Sequence, residues 1–215
     1  MKKKFGILVL LVVLTGTFSY GQGGKYMMAM GNNLGQFGKA KTVEDYTTVA
    51  NKFETIAKKE ETEWLPWYYH GLVNVIASFD DGLSKEEKDA LLDKTQIAID
   101  SMLVLVPNES EVYALEGFMN VGRLVVDPAS RGAEFGMKTS KSCTKSLELN
   151  PDNPRAKYLM ISNKIGGAQF FGTDTSALCE KARDLLANWD DYKIESRMHP
   201  SWGKDELQNI VDSCK

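Results

Sequence analysis

The sequence predicts an all-α fold in which pairs of antiparallel helices stack on one another. From Thr42 onward, apolar residues recur every three or four positions, as they do on one face of a helix. Pro66, Pro107 and Pro151 recur at intervals of 41 and 44 residues, and each is followed by a helix of similar predicted length. Repeated helix pairs each leave an apolar face uncovered, so they must stack to bury it.

Capping residues and prolines mark where the predicted helices begin. Thr42 with Asp45, and Ser84 with Glu87, have the spacing of capping boxes. Pro66 and Pro154 suit the first turn of a helix, where a missing N–H is tolerated. The predicted helices span about 42–60, 63–79, 85–106, 112–125, 133–149, 154–165, 176–189 and 204–214.

The first 21 residues have the pattern of a secretory signal peptide. Lys2, Lys3 and Lys4 precede an apolar run from Phe5 to Leu14, and small or polar residues follow up to Gly21. The run is too short to span a membrane, and no second stretch of that length occurs. We therefore predict a periplasmic or secreted protein with no transmembrane segment after signal removal. Loss of the three lysines changes the formal net charge from −3 to −6, which argues against nucleic acid as a partner.

Residues 22–41 are predicted to be a flexible lead-in to the helical repeat domain, which would occupy residues 42–215. The stretch GGKYMMAMGNNLGQFGKA is rich in glycine and methionine, and its glycines argue against a regular helix. Its apolar side chains could still dock on the body of the protein.

Three cysteines follow the predicted signal peptide. Cys179 and Cys214 each fall on a predicted C-terminal helix, and we favour a disulfide between them, which an exported protein could form. The alternative is that Cys143, Cys179 and Cys214 are all small apolar fillers of helix faces. With no Cys-x-x-Cys motif and only two histidines, His70 and His199, the sequence predicts no metal site and no cofactor.

No motif of an enzyme active site is evident in the sequence. A Gly-x-Ser-x-Gly elbow is absent, and the glycines of GGAQFFG lack the Lys-Ser/Thr of a phosphate-binding loop. A Cys nucleophile would need one of the histidines to approach Cys143 or Cys179 in space. Acidic residues occur mainly as neighbours on predicted helix faces, where they are solvated. We predict that the protein is not an enzyme.

The segment EWLPWYYH is the candidate recognition site. Trp64, Trp67, Tyr68, Tyr69 and His70 place five rings within seven positions, and one helix cannot turn all of them inward. Exposed aromatic residues of this kind suit binding of a partner. The alternative is that they fill the core between repeats. The same two interpretations apply to Phe170 and Phe171.

Two stretches give the sequence a resemblance to the tetratricopeptide repeat family. In SLELNPDNPRAKYLM a helix ending in Leu-x-Leu-Asn-Pro is followed by a helix with Ala156 and Leu159, and SMLVLVPNESEVYALEGF repeats the pattern around Pro107. The resemblance implies a right-handed solenoid that binds partners on its concave face, and it implies no chemistry. The C-terminal part, from Gly166, also resembles exported repeat proteins of Bacteroidetes-type bacteria.

These observations support two classes of function. In the first, the protein is an exported adaptor or scaffold that binds a protein or peptide at the cell envelope. In the second, it is a periplasmic binder of a small ligand such as a glycan, or a hydrolase built on a helical scaffold. A deep pocket that unites His70 or His199 with cysteine or acidic residues would favour the second class.

Overall fold

The computed structural model describes residues 20–214, and the regular structure within them is entirely helical. The predicted all-α class is therefore confirmed. The predicted signal peptide, residues 1–21, lies outside the described residues except for its last two positions. The α-helices are α1 Tyr20–Phe37, α2 Val43–Lys59, α3 Leu65–Ala77, α4 Lys85–Leu105, α5 Ser110–Val126, α6 Pro128–Leu149, α7 Pro154–Phe170, α8 Ser176–Ala187 and α9 Lys204–Ser213, with a 3-10 turn at Trp189–Asp191.

Successive helices pack as antiparallel neighbours. Lys85 at the start of α4 donates to Asp127, just after the end of α5, at 2.7 Å. Asn163 of α7 donates to the Gly136 carbonyl of α6 at 2.9 Å. In addition, α5 packs against both α3 and α7, so these three helices form one layer of the stack.

Local sequence signals fix several helix starts. The side chains of Thr42 and Ser84 accept hydrogen bonds from the backbone N–H groups of Asp45 and Glu87, and both acids bond back to the capping backbone. These are the two predicted capping boxes, and each satisfies backbone donors that a helix start leaves free.

The prediction that residues 22–41 lack a regular helix is wrong, because α1 covers most of them. Tyr26 and Met30 lie four residues apart and are both buried against the rest of the core. The glycines occupy other positions, and a Cβ added at Gly23, Gly24, Gly31 or Gly35 would meet no atom within 4 Å. Burial of one apolar stripe outweighs a glycine penalty of about 1 kcal/mol per position.

Two other helix boundaries differ from the predictions. α6 begins at Pro128 rather than near residue 133, because Asp127 caps the backbone N–H of Ser130 and Pro128 occupies the first turn. α7 continues to Phe170, beyond the predicted end near residue 165. A helix tolerates proline in its first turn and glycine near its C-terminal end, so neither residue interrupts α6 or α7.

The helices α5 and α6 approach closely at Gly117. A Cβ at this glycine would lie 2.9 Å from the Cys143 Sγ atom, so only glycine fits against that side chain. The close approach of α5 and α6 therefore depends on the absence of a side chain at Gly117.

The buried side chains form two hydrophobic clusters. The larger cluster is formed by side chains of the five helices from α1 to α5. The smaller cluster is formed by side chains of α6, α7, α8 and α9 around Leu159, Leu185 and Leu207. Between residues 20 and 214, no helix combines the length and the apolar character needed to cross a bilayer.

Candidate functional site

The aromatic segment predicted as a recognition site contributes mostly to the core. Tyr68 is fully buried, Tyr69 and His70 are 5% and 4% exposed, and Trp64 and Trp67 are half-buried. The Tyr69 ring stacks on Phe53 with centroids 5.3 Å apart. This placement favours the core interpretation for the three buried rings, whereas a binding role for the two tryptophans stays a prediction.

His70 is held in one orientation inside the core. Its Nδ1 atom lies 2.9 Å from the Ala50 carbonyl oxygen, to which it donates, and its Nε2 atom faces the Asn74 amide at 3.4 Å. Burial lowers the pKa of the imidazole. The side chain is therefore neutral and is enclosed among α2 and α3.

A buried ion pair that no local sequence motif indicates joins α5 to α7. The Arg155 guanidinium donates two hydrogen bonds of 2.6 Å to the Glu111 carboxylate, and both side chains are less than 10% exposed. Asn153 and Tyr68 also donate to this carboxylate, at 2.7 and 3.4 Å. The Trp202 indole donates to the Tyr68 hydroxyl at 2.8 Å, which ties the C-terminal segment to the network.

The cysteines divide into one bonded pair and one buried thiol. Cys179 and Cys214 form a disulfide with Cα atoms 5.8 Å apart, and this is the pair that the sequence favoured. Burial raises the pKa of the Cys143 thiol to about 12, so it carries no thiolate at neutral pH. Cys143 is thereby unsuited to nucleophilic catalysis.

A mainly apolar cleft lies between α7 and α8 and also reaches the end of α6. We call it the α7–α8 cleft. It has a volume of about 370 Å³. Its lining consists of Leu147, Lys157, Met160, Ile161, Lys164, Leu178, Lys181, Asp184, Leu185, Asn188 and Tyr192. Ligand sites in proteins are usually largely apolar with a few polar groups that fix orientation, and this cleft has that composition.

Positive charge is concentrated in the α7–α8 cleft. Three lysines, Lys157, Lys164 and Lys181, line it against one acid, Asp184, in a chain whose overall formal charge is negative. Lys157 Nζ lies 3.3 Å from the Tyr192 hydroxyl and 3.3 Å from an Asp152 carboxylate oxygen. Lys164 and Lys181 are exposed on opposite walls. The cleft can therefore hold an apolar body and anionic groups at its edge.

A larger polar groove lies between α4 and α6, with α5 as its floor. We call it the α4–α6 groove, and its volume is about 880 Å³. Asp89 receives hydrogen bonds from both Arg123 and Arg131, and these bonds lower the pKa of its carboxyl group. Lys138 and Lys141 lie on the α6 side. Ion pairs across the groove leave it with mixed charge.

A third cavity, of about 620 Å³, brings His199 together with acidic residues, including Glu109 and Glu195. His199 bonds to Glu195 at 3.0 Å and to Ser196 at 2.8 Å. These three residues belong to one tight turn, and both Glu195 and Ser196 are exposed, so the bonds hold the turn. Burial raises the pKa of Glu109. The cavity therefore unites His199 with acidic residues, which is one part of the arrangement expected for the second class of function.

Comparison with known proteins gives one informative likeness. The chain matches no protein-family model, and no curated protein matches it. It is similar to the solved structure of the HusA haemophore from Porphyromonas gingivalis. The TM-score is 0.78 and the sequence identity is 25%, over 91% of this chain and 95% of the HusA chain.

The likeness to HusA covers nearly the whole of both chains, so the two proteins share the complete helical arrangement rather than one repeat. HusA is a haemophore. The tetratricopeptide resemblance stays a prediction, because no model of that family matches the chain.

Proposed function

We propose that this chain is an exported, non-catalytic binding protein that takes up haem or a closely related tetrapyrrole in the α7–α8 cleft. The observation that carries the proposal is the set of three lysines around a largely apolar cleft. The likeness to a haemophore supports the same ligand class. Export rests on the predicted signal peptide.

The chemistry of the cleft matches that of a tetrapyrrole with carboxylate side chains. Met160, Ile161 and Leu178 would contact the flat apolar macrocycle, whose transfer from water is favourable. Lys164 and Lys181, on opposite walls, would each bind a carboxylate. Haem iron in proteins is bound by His, Cys, Met or Tyr, and the cleft offers Met160 and Tyr192.

Titration of the mature chain with haemin tests this proposal. The haemin absorbance band should shift and saturate at one equivalent. A Lys164→Glu, Lys181→Glu double variant should bind at least about tenfold more weakly, because each favourable contact with a carboxylate becomes repulsive, and tenfold corresponds to about 1.4 kcal/mol.

The matched control is Lys141→Glu, which reverses a charge in the α4–α6 groove and leaves the α7–α8 cleft intact. This variant should bind haemin like the wild type. A wild-type protein that shows no saturable shift would refute haem binding. Equal loss of affinity in the control and the double variant would mean that the net charge of the protein, and not the lysines of the cleft, determines haemin affinity.

The second candidate function is an adaptor that binds a protein or peptide in the α4–α6 groove. The groove is the larger concavity and presents charged side chains of both signs from three helices. Such a lining suits an extended polar peptide more than an apolar ligand. Under this function the Lys141→Glu variant would lose a protein partner captured from envelope extract, while the double variant would retain it.

A further inference from the structure

Two large aromatic side chains project into solvent at the end of α7. Phe170 and Phe171 are 75% and 77% exposed. Their rings contact each other edge to face, with centroids 5.2 Å apart and an interplanar angle of 89°. Exposure of two adjacent aromatic rings is unfavourable in water, so the pair indicates a contact that the isolated chain does not make.

The backbone that carries this pair is held firmly. The N–H of Phe171 donates to the Gly167 carbonyl at 3.1 Å, which continues the helical turn. Gly172 then adopts a φ of 65°, a conformation that favours glycine, and Thr173 N–H donates back to the Ala168 carbonyl at 2.8 Å. The outward position of the rings is therefore built into the end of the helix and is not the result of a slack loop.

Phe171 lies beyond the α7–α8 cleft, on the helix face that lines it. Residues seven positions apart lie on nearly the same face of a helix, so Phe171 is aligned with Lys164, which lines the cleft. The rise between them is about 10 Å. Phe170 points about 100° away around the helix, and its contact with Phe171 is through the ring edge.

We propose that Phe171, supported at its edge by Phe170, forms the outer wall of the ligand site and stacks on the part of the bound tetrapyrrole that extends beyond Lys164. This inference rests on the proposed function. The occupant is the ligand rather than another protein, because Phe171 lies on the helix face whose Lys164 lines the apolar, lysine-flanked cleft. Phe171 thereby selects a broad planar ring system over a short dicarboxylate.

The test is haemin titration of Phe171→Ala, Phe171→Trp and Phe170→Ala. Phe171→Ala should weaken binding by about tenfold, because it removes both apolar area and a stacking contact. Phe171→Trp should retain the affinity, because indole also offers a flat apolar face. Phe170→Ala should have a smaller effect, because Phe170 acts through Phe171.

The matched control is Val104→Ala, which trims an 84% exposed apolar side chain on α4 and should leave haemin binding unchanged. All four variants should keep the urea midpoint of the wild type. If the wild type binds haemin and Phe171→Ala binds equally well, the outer-wall role is refuted while the proposed function stands. If the wild type fails to bind, the proposed function itself fails.

Size-exclusion chromatography without haemin tests whether a second copy of the chain, instead of the ligand, contacts Phe171. Were the wild type to elute as a dimer and Phe171→Ala as a monomer, with equal haemin affinity, the pair would mediate contact between two copies and the inference would be overturned. A monomer in both cases, together with the affinity loss, supports the outer wall.

Discussion

The two aromatic segments of this protein have opposite surroundings. Residues 64–70 comprise the N-cap and first turns of α3, which packs against α2, α4 and α5. Tyr68 and Tyr69 also contact the C-terminal segment, through Trp202 and Met198. Phe170 and Phe171 end α7 and project into solvent. Aromatic density therefore does not show which rings are available for binding. Whether an aromatic ring is available for binding depends on how many other helices pack against the helix that carries it.

This contrast extends to polar groups in the same two regions. The Glu111–Arg155 pair is buried in the middle of the stack. In the α7–α8 cleft, by contrast, lysine side chains are exposed beside apolar side chains. A buried pair stabilises one arrangement of the helices. Exposed lysines contribute little to stability and are free to bind a ligand. Substitutions in the middle should therefore affect folding, and those at the end should affect binding.

The largest expected effect comes from breaking the buried pair. Arg155→Met removes both hydrogen bonds to Glu111 and leaves its carboxylate buried without a counter-ion. Loss of one partner of a buried pair costs about 3 to 5 kcal/mol of unfolding free energy. Urea unfolding followed by circular dichroism measures this loss.

The control for that variant is Lys58→Met, which breaks the exposed Glu54–Lys58 pair and should cost less than about 1 kcal/mol. The double variant Glu111→Gln, Arg155→Met removes the unpaired charge and should recover part of the loss. If Arg155→Met were as mild as Lys58→Met, the contrast between the middle and the end of the stack would lose its energetic basis.

The disulfide should give the second largest effect. It joins α8 to the residue after α9 across 35 residues of chain, and α9 inserts the fully buried Leu207 into the smaller cluster. Cys179→Ser, Cys214→Ser should lower the unfolding free energy by about 3 kcal/mol, because the unfolded chain gains conformational freedom. Thermal unfolding of both proteins under oxidising conditions measures the difference.

Cys143→Ala serves as the control, because it shortens a buried side chain and keeps the disulfide. It should cost about 1 kcal/mol. Treatment with a reductant should destabilise the wild type and the Cys143→Ala protein, and it should leave the double serine variant unchanged. A reductant effect on that variant would mean that the stability change has another source.

Much of the fold could be predicted from local sequence signals. The capping boxes at Thr42 and Ser84 and the prolines at 66 and 154 act within one turn of helix, so the residues that specify them are adjacent in the chain. α1 was missed because its stability depends on burial of Tyr26 and Met30 against other helices. Propensity alone contains no information on that contact.

The candidate site was less predictable because its parts are distant in the chain. The cleft combines Leu147 of α6 with residues of α7 and α8, and no short motif unites them. Glu111 and Arg155 are likewise 44 residues apart. The spacing of Lys157 and Lys164 on one helix face, followed by Phe171, was the available signal. The denser aromatic run at residues 64–70 is the stronger local pattern, although three of its rings are buried.

The smallest expected effect concerns His70 in the covered segment. Burial lowers its pKa from the ordinary value of 6.5, so the unfolded chain binds a proton more readily than the folded protein does. Stability should therefore be fully present at neutral pH and should fall as the pH drops through about 6.5 toward the lower folded pKa. The slope from this one group is at most about 1.4 kcal/mol per pH unit.

His70→Asn keeps a donor for the Ala50 carbonyl and removes the titrating ring, so its stability should fall less steeply with acid than that of the wild type. Urea unfolding at pH 7.0, 6.0 and 5.5 measures both slopes. His199→Asn retains His70 and should keep the contribution of that residue to the slope. Parallel curves for the wild type and His70→Asn would mean that the buried imidazole accepts a proton without cost. That result would contradict the close packing around residues 64–70, which distinguishes this buried aromatic segment from the exposed pair Phe170 and Phe171.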